Sequence, residues 1–180
     1  MNGEMFMKDV KNILYLKPGA KSTGELIEAV TERVKESGIT TVVVASTKGK
    51  TALRMAEALK GVAQVVSITE FTYVGDVKKG MKKLGVTAIE RADLPIQERR
   101  EMREALLFFG AGVKAALEVA AIAAEKGATP PPDKVVAVAG SQISLDTALV
   151  VRPAPPSDFF NPDPDKRMVV QEIIAMPLQG

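Results

Sequence analysis

Six consecutive residues, Ser46-Thr47-Lys48-Gly49-Lys50-Thr51, bring three hydroxyls, two ammonium groups and one glycine into a single short stretch. Residues of these types hold an oxyanion. Hydroxyls and lysines offer hydrogen-bond donors and positive charge, and glycine lets the main chain come close to a ligand. The stretch is not a Walker phosphate loop, because that motif needs glycine five residues before Gly49, where Val44 stands. The competing reading is structural: Ser or Thr ahead of a helix is favoured as an N-cap, worth about 1 kcal/mol. Three charge-assisted hydrogen bonds at roughly 1.5–3 kcal/mol each give about 5–9 kcal/mol, against an association cost of at least roughly 4. A bare phosphate is therefore expected to bind weakly, and the ligand to carry a ring or a sugar as well.

To act, the loop must sit between a buried strand and a helix. Thr41 to Val44 is a continuous β-branched run of the kind found inside a parallel sheet, and Ala52, Met55, Ala56 and Leu59 follow at helical spacing. That order leaves helix N–H groups without partners beyond the strand's carboxyl end, where the helix dipole is positive. A second apolar run, Ala63 to Ile68, leads into Thr69-Glu70-Phe71-Thr72-Tyr73-Val74-Gly75, expected at the same sheet edge. Phe71 and Tyr73 are two of only eight aromatic residues, so a ring there could cover a planar ligand or pack down on the sheet edge.

The remaining pattern supplies the scaffold. Ile13 to Leu16 reads as a short strand, followed by a helix, Gly24 to Ser37, capped by Ser22 or Thr23 and closed by Gly38. A helix over Asp76 to Leu84 and a strand over Val86 to Ile89 come next, with Glu90 and Arg91 facing the ligand edge or taken up in salt bridges. Glu98 to Glu104 carries both charge signs at helical spacing and reads as a solvated face. Gly110 and Gly112 mark a junction between helices or a close backbone approach. The helix Val113 to Lys126 is apolar nearly all round, which implies burial. Pro130-Pro131-Pro132 precedes a strand, Val135 to Ala139, that ends at Gly140-Ser141-Gln142. Asp146-Thr147 begin the next strand, Ala148 to Val151; the short connection forces it antiparallel. Phe159-Phe160 need a partner as a flap over the cleft, a plug in the domain surface or a subunit contact. Met168 to Met176 reads as an edge strand with Ile13 to Leu16 beside it.

Composition narrows the chemistry. The 180 residues fit one domain, 1–180, with 46% hydrophobic and 26% charged residues. A formal charge of +2 with interspersed signs gives no nucleic-acid footprint, and no stretch reads as a membrane span or secretory signal. Cysteine and histidine are both absent. Thiol chemistry, the commonest general base and the usual zinc ligand go with them, so no metal site is expected. Asp146 is the one carboxylate placed at the ligand edge, and one carboxylate makes no acid–base pair. A cytoplasmic location is expected.

Parallel strands with intervening helices, then an antiparallel fifth, make an α/β fold of three layers that resembles the C-terminal regulatory domain of pyruvate kinase. The Ser46–Thr51 loop resembles, without gaps, the effector-phosphate loop of that domain. The chain is still more similar to a family of small stand-alone proteins, mainly archaeal, that are like the pyruvate kinase alpha/beta domain. The likeness runs through Lys17-Pro18-Gly19, VVVASTKGKTALRMAEAL, FFGAGVKAALEVAAIAAEKG, VVAVAGSQISLDTALVVRPAPPSDFF and the closing EIIAMP. It implies flavin mononucleotide binding without the barrel that carries kinase chemistry. By position, Ser46, Thr47, Gly49, Lys50 and Thr51 would hold the phosphate with Lys48 beside them. Phe71, Thr72 and Tyr73 would line the ring side, with Gly140, Ser141 and Asp146 across the cleft. The sequence departs from the family pattern in lacking histidines after the second and third strands, and in carrying Ser144-Leu145 where Gly-Ala is expected.

Two functions follow as expectations. One is a binder of a small phosphorylated ligand, flavin mononucleotide first. The other is a module that senses a sugar phosphate or assembles with further copies, and a homo-oligomer is expected.

Overall fold

The computed structural model describes residues 11–17, 19–129, 134–141 and 144–179. The expected features at Pro18, at Pro130-Pro131-Pro132 and at Gln142 lie outside those residues, as do positions 1–10. Among the described residues, β1 (Leu14–Leu16), β2 (Thr41–Ala45), β3 (Gln64–Ile68), β4 (Thr87–Ile89), β5 (Val135–Gly140), β6 (Leu145–Arg152) and β7 (Val169–Pro177) form one sheet. Its strand order is β1-β7-β6-β5-β2-β3-β4. The helices are α1 (Ala20–Ser37), α2 (Lys50–Ala58), α3 (Gly75–Lys83), α4 (Arg100–Leu107) and α5 (Ala111–Glu125).

Strands β5, β2, β3 and β4 are parallel, β6 runs antiparallel to β5, and β7 antiparallel to β6. This is the α/β architecture that the sequence pattern implies, the expected antiparallel strand over Ala148 to Val151 being β6. The β-branched runs make it because both faces of the sheet are covered and each strand feeds two cores. Val42 and Val44 enter a cluster with Leu26 and Val30 of α1 and Met55 of α2. Val43 points the other way, to Val119 and Ile122 of α5. Helix α5 is apolar nearly all round because the sheet lies on one side and α4 with Phe159 on the other. Its one buried carboxylate, Glu118, accepts the Ile96 and Gln97 amides and pairs with Lys114.

Two expectations change. Helix α1 begins at Ala20 with Gly19 as N-cap, and neither Ser22 nor Thr23 caps it. Both hydroxyls sit inside the first turns, where Ser22 Oγ donates back to the Gly19 carbonyl (2.6 Å) and Thr23 Oγ1 accepts the Leu145 amide (3.1 Å). Gly38 does close the helix in the left-handed region at φ 65°, its N–H on the Val34 carbonyl. Strand β7 does have the Ile13 to Leu16 strand beside it as expected, β1 pairing parallel with Ala175 to Pro177, so that only the earlier part of β7 is an edge. The Phe159-Phe160 pair is split: Phe159 plugs the α5 cluster under the Arg99 guanidinium, whereas Phe160 is 74% exposed.

Candidate functional site

Strand β2 leads through α2 to β3 on one side of it, whereas β5, its other neighbour, leads away to β6. Adjacent parallel strands whose chains depart in opposite directions open a crevice beyond their carboxyl ends, the usual ligand position in open α/β sheets. Ser46 follows β2 there, Ser141 follows β5, and Phe71 to Tyr73 lie beyond β3.

The Ser46–Thr51 loop is a turn followed directly by α2. Gly49 sits at φ 78°, and its N–H donates to the Ser46 carbonyl at 3.3 Å. Ser46 Oγ and Thr51 Oγ1 are hydrogen-bonded at 2.7 Å, and the Ala52 amide donates to Ser46 Oγ at 3.4 Å. The first helical bond runs from the Leu53 amide to the Gly49 carbonyl (3.0 Å). The Lys50 and Thr51 amides therefore have no partner among the described residues, as the first turn of a helix requires unless a ligand or water supplies one. Thr47, Lys48 and Lys50 are exposed, and neither lysine enters an ion pair among the described residues. Ser46 and Thr51 thus shape the loop, while Thr47, Lys48, Lys50 and two amides remain open to an anion.

The β3–α3 loop is tied to it. Thr69 Oγ1 donates to the Thr47 carbonyl and accepts the Phe71 amide, both at 3.2 Å, leaving the Phe71 ring 57% exposed. Thr69 was not among the residues the sequence singled out; a hydroxyl directly after a buried strand was the available signal. Thr72 is exposed and its Oγ1 accepts from Arg91 Nε at 3.3 Å. Arg91 adopts φ 54°, a left-handed conformation unusual for a residue with a side chain. Tyr73 is 3% exposed: its ring packs in the core, and its hydroxyl lies 2.7 Å from Ser67 Oγ and 2.9 Å from the Ser46 carbonyl. Burial pushes its pKa up to about 12. The Tyr73 amide donates to Glu90, which pairs with Lys78 at 3.0 Å. The Lys78 hydrogen bond, helped by that amide, holds the Glu90 carboxyl below its usual range.

Across the crevice, Gly140 lies so close to the Ser144 carbonyl that no side chain fits. The Ser141 amide donates to Asp146 Oδ2 at 3.3 Å, and Thr147 Oγ1 donates to Oδ1 at 2.8 Å. Asp146 is buried and turned toward α5, where Gly112 leaves it room. The structure thus brings the Ser46–Thr51 and Thr69–Tyr73 loops together and engages Asp146 in the turn that follows β5. A cavity of ≈470 Å³ is lined by Glu70, Arg91, Ala92, Asp93, Leu94, Gln97 and Glu98. Among the described residues no group of three or more acidic side chains is placed to hold a metal ion.

A family model described as pyruvate kinase, alpha/beta domain, matches residues 25–151, well over half of the chain. The chain belongs to that family. The match takes in β2 to β5, all but the last residue of β6 and every helix from α1 onward except the first turn of α1. In this alpha/beta domain the Ser46–Thr51 loop, the Phe71 loop and Asp146 all fall inside the matched region, whereas β1 and β7 lie outside it. No described helix is long and apolar enough to cross a membrane.

Proposed function

We propose that this alpha/beta domain binds a phosphorylated small molecule at the carboxyl edge of its sheet, with flavin mononucleotide as the ligand. The observation that carries the reading is the open pair of amides at Lys50 and Thr51, flanked by the exposed Lys48 and Lys50 side chains. Amides at a helix N-terminus, with the dipole behind them, favour an oxyanion. The phosphate rests on these groups with Thr47 beside them. The exposed Phe71 ring, whose backbone amide is held to the Thr47 carbonyl through Thr69, covers the planar part of the ligand. The cavity next to Glu70 and Arg91 gives the organic half room.

A second reading, a sugar-phosphate sensor without catalysis, is favoured by Tyr73. Because the Tyr73 ring lies in the core, Phe71 is the one aromatic side chain of the loop left for stacking. The two readings part in one experiment. Protein soaked in flavin mononucleotide and desalted should keep a yellow chromophore, and a thermal-shift panel should show stabilisation by that ligand. Colourless protein stabilised by phosphorylated sugars alone would exchange the first reading for the second. No response to either class would end both.

A further inference from the structure

We propose that Tyr73 is the positioning residue of the anion loop: its buried phenol turns the Ser46 carbonyl inward, so that the amides that follow face outward. The proposal rests on the anion-binding reading above. Proton accounting at the bridge leaves one arrangement. The Ser46 carbonyl can only accept, so the Tyr73 O–H donates to it across 2.9 Å, and Ser67 Oγ supplies the proton of its 2.7 Å contact with Tyr73 Oη. That donation needs a neutral phenol, which burial secures. The same carbonyl accepts the Gly49 N–H, closing the turn from Ser46 to Gly49.

The ring acts separately from the hydroxyl. A side chain at Gly49 would meet Tyr73 Cδ1 at 3.2 Å and Met81 Cε at 2.8 Å, so the ring is part of the floor on which the turn rests. Lys50 and Thr51 follow that turn without an intervening residue. A change in the direction of the Ser46 carbonyl therefore passes directly to their amides. Phenylalanine at 73 would keep the floor and lose the pin. Alanine at 67 would remove the outer hydrogen bond and keep the pin on Ser46.

Tyr73→Phe and Ser67→Ala separate positioning from plain stability, since each deletes one buried hydrogen bond of the same bridge. Two readouts serve: affinity for flavin mononucleotide from quenching of its fluorescence, and backbone order parameters of Thr47 to Thr51 from nitrogen-15 relaxation. Tyr73→Phe should weaken binding about tenfold. It should also lower the loop order parameters from about 0.85 toward 0.6 in the ligand-free protein. Ser67→Ala should change neither, although both variants melt at lower temperature. An unchanged value of either readout in Tyr73→Phe overturns the proposal, and so does an equal loss in Ser67→Ala. If the unmodified protein binds no flavin mononucleotide, the flavin reading of the site fails; the order parameters then decide the role of Tyr73 alone.

Discussion

Gly49 is required by the Ser46–Thr51 turn on two independent grounds. Its φ of 78° lies in the left-handed region, and a methyl group there would collide with Val77 and Met81 of α3. Gly49→Ala should destabilise the protein by about 2–4 kcal/mol, the sum of backbone strain and overpacking. Denaturant unfolding would read this as a lower midpoint at unchanged slope; a midpoint equal to that of the unmodified chain would contradict the placement. At this scale the sequence was partly legible. A run of hydroxyls, lysines and glycine between a buried strand and a helix correctly marked a turn with open amides. It could not divide the labour among the hydroxyls, because Ser46 and Thr51 satisfy one another across the turn. Nor could it tell that Tyr73 faces inward while Phe71 faces outward. Two aromatics spaced by one residue in a loop look alike until the partners of the phenol, Ser67 and Ser46, are brought under it.

Among the elements, strands were legible because β-branched runs covered on both faces leave a pattern that local sequence carries by itself. The start of α1 was not. Ser22 turns back to the Gly19 carbonyl inside the first turn, and Thr23 is taken by the Leu145 amide, which arrives from far along the chain. Asp146 is a similar case: its membership of β6 could be read, but its orientation toward α5 follows from the room at Gly112. The addition of β7 to the sheet is secured by an ion pair to α1. Arg33 donates to both oxygens of Glu172, with Lys11 joining at 3.2 Å. The Arg33 hydrogen bond, ahead of that from Lys11, holds the Glu172 carboxyl below its ordinary value. A depressed carboxyl stabilises the fold above the ordinary carboxylate range and loses that contribution as pH falls through the lowered value. Glu172→Gln should therefore cost about 1 kcal/mol near pH 7, discounted for partial exposure. It should also make stability less dependent on pH in the acid range. Thermal melts of the two proteins between neutral and acid pH should converge; parallel curves would contradict the assignment.

For the molecule as a whole, the sheet topology opens a crevice beyond the carboxyl ends of β2 and β5, and the open amides of α2 follow the end of β2. The overall architecture was the most legible feature, since a short connection can only return antiparallel and longer ones can carry helices. What the crevice holds was less so, because ligand chemistry rests on a few side-chain directions and not on periodicity. The most direct measurement is a nitrogen-15 correlation spectrum of the full chain titrated with flavin mononucleotide. The account predicts saturable shifts centred on the amides of Lys48, Gly49, Lys50 and Thr51, with smaller ones at Phe71 and Thr72. Shifts confined to other parts of the sheet, or none at all at millimolar ligand, would contradict it.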